Sequence, residues 1–459
     1  MPVGEKKSVA CYQIVAMPYP GRGQIHHIIK ICTILAHKRG KTITLVLTEE
    51  WLGLISRPPD TPTVRLRTIP NVIPSELNRG ADFAGFIEAV FTKMEAPFDQ
   101  LLDQLDLRAS CIVADLALPW MKSVGSRRNI PVVSLWPAAP SSFLAFYHSH
   151  LVAARGNHPE EDLPAERKEN IIDDILGVST VVKDARIEKL VRKAFSYATK
   201  GQGLIFTSFY ELEPHIINIL IAELHIPIYT IGPAIPYFSL KDQSSMSIPR
   251  YDEECLKWLD LQPQATLLYV TRGPLLSTST EQMHKLSKGL SASGFRYLWV
   301  ARDEAMSLQE SCGTNGLAVP WCDQLGVLCH SSVGGFLTHC GWNSTMESIY
   351  AGIPMLTFPL AADQHHNSAL IVEGWKIGLE MKSIVGTDNV VGREEISNNV
   401  KRLMDQNGEE CKQLSSRAKE FQETCQRAIE KGGSTDCNSN AFFEDFVHGK
   451  LKLPCNGDL

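Results

Sequence analysis

The stretch Trp321–Gln364 contains the densest set of residues in this sequence that could do chemistry. An apolar run, Gly334–Thr338, predicts a short strand, and Thr345–Tyr350 predicts the beginning of a helix. Between them lies a turn of small and capping residues, His339–Ser344. A strand, a glycine turn and a helix N-terminus direct free backbone N–H groups and the positive end of the helix dipole at one point. The pattern therefore predicts a binding site for an anion such as a phosphate.

Individual side chains in the same stretch suit a nucleotide. Asn343 or Ser344 would cap the helix, and both side chains could reach a phosphate. Glu347, one turn into the helix, could accept two hydrogen bonds from a ribose diol. Trp321 offers a flat face on which a base could stack. We therefore expect a nucleotide to bind here.

The elements that must position these residues alternate along the chain. Strands are predicted at Tyr12–Met17, Thr42–Leu47, Cys111–Ala114, Val132–Leu135, Leu204–Thr207, Leu267–Thr271, Arg296–Val300, Gly334–Thr338 and Met355–Phe358. Amphipathic helical stretches are Ile25–Lys38, Phe83–Leu105, Asp184–Ala198, Thr280–Ser291 and Asn343–Tyr350. This alternation predicts an α/β chain with parallel sheets that are covered on both faces.

A polar, irregular segment near the middle of the chain, 238–250, is typical of an interdomain linker. The residues before and after it each carry enough strands for one doubly wound domain. Ligands of such sheets bind at the carboxyl ends of the strands. The predicted site therefore lies in the cleft between the two domains.

Composition excludes several other classes of protein. Of 459 residues, 44% are hydrophobic and 21% are charged, which is ordinary for a globular chain. The net charge of −6 provides no basic field for a nucleic acid. The twelve cysteines are scattered without a C-x-x-C pair, which is typical of reduced thiols in a cytoplasmic protein. No apolar run is long enough for a membrane span.

A metal site is not expected from the histidines and cysteines of the dense stretch and the residues just after it. Their spacing matches no zinc pattern. The residues concerned are His330, His339, Cys340, His365 and His366.

The dense stretch resembles the donor box of plant family-1 UDP-sugar glycosyltransferases. The matching residues are Trp321, Gln324, His330, Gly334, Phe336, His339–Ser344, Glu347, Gly352, Pro354, Pro359, Asp363 and Gln364. The runs MPYPGRG, TEEW, PSEL, ELEP and KGGS are also similar to this family, so the resemblance covers essentially the whole chain. So many fixed residues at fixed spacing make the signal highly specific.

The resemblance implies the GT-B architecture, two facing doubly wound, Rossmann-like domains. It implies an acceptor-binding domain at 1–237, a linker at 238–250 and a UDP-sugar-binding domain at 251–438. A C-terminal tail, 439–459, is then expected to cross back to the N-terminal domain.

The implied activity is inverting transfer of a sugar, expected to be glucose, from a UDP-sugar to a small plant metabolite. No cofactor, metal or nucleic acid is expected, and the chain is expected to be a monomer. Trp321 matches the residue that stacks on uracil, and Gln324 and Glu347 match those that hold the ribose. His339, Asn343 and Ser344 match the residues that bind the diphosphate. Trp342, Asp363 and Gln364 match those that face the sugar.

The sequence departs from the family at the catalytic base. The family has a histidine at the start of the first helix, and this chain has Gln24 there. An amide cannot take the acceptor proton, and loss of a general base typically slows a reaction by about 10²–10⁴-fold. Asp115 matches the aspartate that orients the histidine. His27, three residues on, shares the helix face of Gln24 and is a candidate substitute, whereas His26 points elsewhere.

A second departure lies in Val270–Pro274, where the family has a Gly-Ser pair over the diphosphate. Pro274 removes both the hydroxyl group and a backbone N–H donor. Arg272 could compensate with a charged contact to the phosphate. The departures put transfer in question more than UDP recognition.

Three functions follow from these observations. The first is a UDP-glycosyltransferase for acceptors that are already acidic, such as carboxylates and acidic phenols. The second is a repurposed scaffold in which a lone Asp115 of raised pKa catalyses proton transfer, isomerisation or cyclisation without UDP-sugar. The third is a non-catalytic binder. Aromatic and apolar candidates for the acceptor pocket are Phe83, Phe86, Phe91, Met121, Trp136, Phe143 and Phe146, although a single residue of this kind is more often core than pocket.

Overall fold

The computed structural model describes residues 13–39, 42–55, 63–79, 82–154, 195, 201–237, 250–271, 280–301, 305–360, 363–381 and 390–447. Two parallel sheets form the centre of the molecule. The first contains β1 (Gln13–Met17), β2 (Ile43–Thr48), β3 (Val64–Ile69), β4 (Ala109–Asp115), β5 (Val132–Trp136), β6 (Gly203–Phe206) and β7 (Ile228–Thr230). The second contains β8 (Leu267–Thr271), β9 (Arg296–Val300), β10 (Gly316–Val319), β11 (Val333–Thr338), β12 (Met355–Thr357) and β13 (Gly378–Glu380).

Helices cover both sheets. Those of the first half are α1 (Arg22–Arg39), α2 (Glu49–Leu54), α3 (Phe83–Lys93), α4 (Glu95–Asp103), α5 (Met121–Arg128), α6 (Pro140–Ala154) and α7 (Pro214–Leu224). Those of the second half are α8 (Arg250–Asp260), α9 (Thr280–Ser293), α10 (Ala305–Cys312), α11 (Gln324–Leu328), α12 (Trp342–Ala351), α13 (Gln364–Ala369), α14 (Arg393–Met404), α15 (Glu409–Ile429) and α16 (Ser434–Phe442). Short 3₁₀ turns are Glu76–Asn78 and Tyr210–Leu212, and π turns are Leu370–Gly374 and Phe443–Val447.

The strand order is β3-β2-β1-β4-β5-β6-β7 in the first sheet and β10-β9-β8-β11-β12-β13 in the second. All the pairings are parallel. The inner strands are continuous apolar runs because both of their faces are buried; every residue of β2 and of β8 is buried. The prediction of two Rossmann-like α/β domains is confirmed.

All nine strands predicted from the sequence are present, with shifts of one or two residues at their ends. The prediction of one helix over Phe83–Leu105 was wrong: Met94, which is buried, separates α3 from α4. Most of the predicted helix Asp184–Ala198 and nearly all of the predicted linker 238–250 lie outside the described residues. No helix in the described part of the chain is long and apolar enough to cross a membrane.

The last described elements pack against the first sheet. Helix α16 contacts β7, and Phe442, Phe443 and Phe446 belong to the core on one face of that sheet. The hydroxyl group of Tyr229 in β7 donates a 2.5 Å hydrogen bond to Asp445 Oδ2. The C-terminal helices therefore complete the core of the N-terminal sheet.

Candidate active site

A glycine turn at the carboxyl end of β11 sets the direction of helix α12. Cys340 has a φ of 65°, and Gly341, in extended conformation, is the N-cap of the helix. A Cβ atom on Gly341 would lie 2.5 Å from His339 Nε2, so an added side chain would displace the turn or the imidazole. The helix begins at Trp342, and no described side chain caps its first N–H groups, which have no partner within the helix. The prediction that Asn343 or Ser344 caps the helix was therefore wrong, since both lie in its first turn.

Glu347 is the centre of a polar cluster that joins the two domains. Its side chain is 8% exposed. Gln324 Nε2 donates to Glu347 Oε2 at 2.6 Å and to Ser344 Oγ at 2.9 Å. Lys30 Nζ, from helix α1 of the other domain, donates to Glu347 Oε1 at 2.5 Å. The structure thus brings together three residues that the sequence predicts for the donor and adds one that it did not indicate.

The two tryptophans of the donor stretch have opposite surroundings. Trp321 is 51% exposed, which leaves its indole face open at the surface. Trp342 is only 3% exposed, and its ring tilts against Trp375 in the core of the second domain. Its backbone N–H, at the first position of α12, is the part of Trp342 that remains at the helix end.

Asp363 and Gln364 lie at the start of α13, after the carboxyl end of β12. Asn367 Nδ2 donates to Asp363 Oδ2 at 2.9 Å, and burial raises the pKa of this aspartate. The buried Gln364 accepts a hydrogen bond from the backbone N–H of Leu360 at 2.8 Å. Arg272, with Gly273 and Pro274, lies outside the described residues.

Gln24 lies in the first turn of α1, at the carboxyl end of β1. Its Oε1 is 2.7 Å from the point where a Cβ atom on Gly21 would lie, and Arg79 Nη1 is 3.1 Å from the same point. The Gln24 amide and a guanidinium group therefore converge over one glycine. Arg79 also forms a 3.1 Å ion pair with Glu76 and lies over the ring of Phe86, 5.8 Å from its centroid.

Asp115 is the last residue of β4 and is 4% exposed. Its Oδ1 accepts a 2.9 Å hydrogen bond from the backbone N–H of Ala117, and no described side chain hydrogen-bonds to Oδ2. Burial raises the pKa of Asp115 to about 7, although backbone N–H groups of Ala117 and Tyr19 act in the opposite direction. This agrees with the raised pKa expected of a lone carboxyl group in an apolar setting.

His27 is buried between the domains. Its Nδ1 lies 2.9 Å from the carbonyl oxygen of Gly23 and 3.1 Å from Asn343 Nδ2. Burial lowers the pKa of His27 to about 3, so the ring is neutral at physiological pH. His26, by contrast, is exposed.

A second contact between the domains was not indicated by the sequence. Ser141 Oγ lies 2.7 Å from Nε2 of His366, and both residues are buried. Glu213, which is also buried, has a pKa raised to about 7 by burial, and contacts with Ser141 oppose that rise. These residues are separated by up to 225 positions, so only the fold reveals their contact.

The candidates for the acceptor pocket divide by burial. Three are fully enclosed core residues, namely Phe86, Met121 and Phe143. Trp136, Phe91 and Phe146 are partly buried, and Trp136 packs edge-on against Phe143 and Phe146. Phe83 is 41% exposed.

Comparison with known proteins gives a consistent picture. Residues 248–420 match the family model described as UDP-glucoronosyl and UDP-glucosyl transferase. The chain is 42% identical to UDP-glycosyltransferase 87A2 of Arabidopsis thaliana, over 94% of this chain and 95% of that protein. It is 31% identical to the 7-deoxyloganetin glucosyltransferase of Gardenia jasminoides, over 92% and 95%.

Solved structures have the same fold. Os79 from O. sativa, in complex with UDP, matches with a TM-score of 0.82 at 24% identity, over 95% of this chain and 100% of that one. Phytolacca americana UGT2, complexed with UDP-2fluoro-glucose and pterostilbene, matches with a TM-score of 0.79 at 26% identity, over 95% and 99%. The chain thus has two facing Rossmann-like domains, a glycine turn at a helix N-terminus and UDP-glycosyltransferase relatives that match it over nearly their full length. It belongs to the plant family-1 UDP-sugar glycosyltransferases and is a UDP-sugar-dependent transferase of small plant molecules.

Proposed function

We propose that this transferase moves glucose from UDP-glucose, with inversion, to a small acceptor whose oxygen is already acidic, such as a carboxylate or an acidic phenol. One observation carries the proposal: an amide, Gln24, occupies the position of the base, and no described side chain hydrogen-bonds to Oδ2 of Asp115. An acceptor that arrives deprotonated needs no base. Glucose as the sugar is supported by relatives that are named glucosyltransferases, including one at 32% identity.

The donor would lie across the carboxyl ends of the second sheet. Trp321 stacks on uracil, and Gln324 and Glu347 hold the ribose. The N–H groups at the start of α12 bind the diphosphate. The side chains that assist them at the diphosphate are those of His339, Asn343 and Ser344, with Arg272. Asp363 and Gln364 assist at the sugar, where Trp342 contributes its backbone N–H. The support for these roles is the polar cluster around Glu347, the exposed face of Trp321 and the free helix N-terminus.

In the transfer step, the acceptor oxygen forms a bond to the anomeric carbon while the bond from that carbon to UDP breaks. The negative charge thereby moves from the acceptor to the departing UDP, where helix N–H groups stabilise it. Gln24 donates a hydrogen bond to the acceptor, and the guanidinium group of Arg79 next to it favours the anionic form of that acceptor. His27, being buried and neutral, lies against Asn343 and takes no proton.

The first test compares the unmodified chain with Gln24→His on a panel of carboxylic acids, phenols and alcohols, with UDP-glucose and product detection by mass. We expect the unmodified chain to glucosylate the acidic acceptors only. We expect Gln24→His to extend transfer to alcohols, with a gain of about 10²–10⁴-fold, because it places a general base at the position of Gln24.

A second variant, Arg79→Gln, tests the guanidinium group, because it removes this charge and leaves the Gln24 amide in place. It should lower transfer to carboxylates more than transfer to neutral phenols. Transfer to alcohols by the unmodified chain would show that a base exists elsewhere, and transfer only by Gln24→His would show that the natural reaction is a different one.

A second candidate function is catalysis at Asp115 without UDP-sugar. It is supported by the burial of this carboxyl group and by its pKa of about 7, which suits an acid or a base at neutral pH. The described residues around it, however, enclose a cavity of only about 20 Å³, which is room for about one water molecule. The same panel incubated without UDP-sugar tests this function, and any product should disappear in Asp115→Asn.

The setting of the enzyme is also a proposal. We infer a monomer in the cytoplasm, with domains at 1–237 and 251–438, as the family resemblance implies. The cysteines support a reducing compartment, since all ten in the described residues are free thiols and eight of these are buried.

A further inference from the structure

Helices α1 and α12 meet in the cleft through two successive contacts. His27 of α1 lies against Asn343, and Lys30, one turn later, lies against Glu347, one turn further along α12. The Lys30 side chain is 19% exposed and that of Glu347 is 8% exposed. The acceptor domain thus supplies a cation to the carboxylate that the proposed function assigns to ribose.

This cation fixes the position of the carboxylate. An almost buried carboxylate needs a charged partner and hydrogen bonds. An ionised carboxylate only accepts hydrogen bonds, and each of its oxygens has two lone pairs. Lys30 occupies one position on Oε1 and Gln324 one position on Oε2. One position therefore remains on each oxygen, which matches the two hydroxyl donors of a ribose diol.

The charge also affects the rest of the donor. Without Lys30, an uncompensated carboxylate would lie in the same cluster as Ser344 and near the helix end that receives the diphosphate. Like charges at short range in a poorly solvated site repel strongly. Loss of the lysine should therefore weaken nucleotide binding and, at the same time, reduce the discrimination between ribose and 2′-deoxyribose.

We propose that Lys30 is a specificity-determining residue of the donor site: it holds the Glu347 carboxylate in position, so that the enzyme distinguishes ribose from 2′-deoxyribose. Lys30 acts through Glu347 as a positioning residue. The inference rests on the proposed role of Glu347 in ribose binding, which the same experiment tests separately.

The experiment measures the affinity of the full-length protein for UDP and for 2′-deoxy-UDP by calorimetry. We expect the unmodified chain to prefer UDP by about 10- to 100-fold, the range for a hydrogen bond to a charged group. Lys30→Met should weaken UDP binding about 10-fold or more and reduce the preference to a few-fold. Lys30→Arg should retain most of the preference because it keeps the charge and the donor.

Helix α1 offers a matched control. Lys38, two turns beyond Lys30, forms a 2.9 Å ion pair with Asp436 in α16, away from the donor stretch. Lys38→Met removes the same chemistry from the same helix and should leave the preference for UDP unchanged. Should Lys30→Met fail to fold, Lys30→Gln takes its place with the same expected loss.

The outcomes separate the two claims. If Glu347→Gln loses the preference and Lys30→Met keeps it, the lysine is only structural and the inference is overturned, while the ribose role of Glu347 stands. If Glu347→Gln itself keeps the preference, the ribose role fails and the inference fails with it. Loss of the preference in Lys38→Met would show that domain contact in general, and not Lys30, is responsible.

Discussion

Individual residues were predictable from the sequence where their chemistry is local. The strand, turn and helix pattern indicated Ser344 and Glu347, and the family resemblance indicated Gln324. The three side chains form one cluster. Lys30 and Arg79 were not predictable. Lys30 meets its partner across 317 positions of sequence, and Arg79 reaches Gly21 only through the packing of a separate loop. A lone cation on a helix or in a loop has no pattern that distinguishes it from a solvated one.

Two buried carboxyl groups give stability a pH dependence. Burial raises the pKa of both Asp115 and Glu213 to about 7, far above the values of about 4 in an unfolded chain. Between about pH 4 and 7 the folded chain therefore binds more protons than the unfolded chain, so stability falls as pH rises through this range. We expect Asp115→Asn and Glu213→Gln each to reduce this fall in stability. Each variant should gain roughly 1–4 kcal/mol in the free energy of unfolding at pH 8, relative to its change at pH 5. Thermal unfolding at pH 5 to 8 measures it.

The control for this prediction is Glu410→Gln. Hydrogen bonds from Arg402 lower the pKa of Glu410, so that it is ionised in both states across the range measured. Loss of the Glu410 carboxyl group should leave the slope of stability against pH unchanged. Parallel curves for the unmodified chain and the two carboxyl variants would show that neither buried group titrates on unfolding.

Among the elements, the strands that sequence patterning missed are the four at the sheet edges: β3, β7, β10 and β13. Inner strands are buried on both faces and are recognisable as continuous apolar runs. The edge strand β3 alternates buried and exposed residues and contains two arginines, and the others are only three or four residues long. Short length and charged residues protect an edge strand from further pairing. The same two features make such a strand difficult to recognise in the sequence.

The turn before α12 offers a prediction at this scale. Gly341→Ala would place a Cβ atom 2.5 Å from His339 Nε2, which must displace the turn or the imidazole. Because either the helix N–H groups or His339 is then displaced from the diphosphate, we expect UDP affinity to fall about 10-fold or more, as for loss of an anion-binding donor. Calorimetry with UDP measures this change.

Gly374→Ala is the matched control in the same domain. Its added Cβ atom meets only Leu370 Cδ2, at an ordinary contact distance of 3.7 Å. UDP affinity should be unchanged in this variant. Equal affinities for Gly341→Ala and the unmodified chain would mean that the turn does not orient the groups that bind the diphosphate.

For the whole molecule, the arrangement of the two domains depends on contacts that are far apart in sequence. The first sheet is completed by residues that follow the entire second domain, since Phe442 and Phe446 pack with Tyr229 of β7. The family resemblance implied such a crossing, but no local pattern in the tail indicates which sheet its aromatic residues cover. The two-domain α/β class was predictable because each half has its own strand–helix alternation.

Phe446→Ala tests this long-range packing. The side chain is 4% exposed and lies against Gly203 of β6, where its ring is 3.0 Å from the position of an added Cβ atom. We expect a loss of about 3–5 kcal/mol in stability, as is usual for a buried phenylalanine. Hydrogen exchange should lose protection in β4 and β6 and keep it in β11.

The same substitution in the other domain provides the comparison. Phe421 of α15 packs on Trp375, in the core of the second sheet. Phe421→Ala should lower protection in the second sheet and leave the first intact. Uniform loss in both variants would mean that the two domains unfold as one unit.

The crossing of the C-terminal helices has a consequence for how the protein is made in the cell. The ribosome completes the strands of the first sheet with β7, but the aromatic residues that close its core lie beyond the second domain. At 5–20 residues per second, roughly ten to forty seconds of translation separate the two. The domain that is synthesised first is therefore finished last, and we expect one of its apolar faces to remain uncovered during that interval.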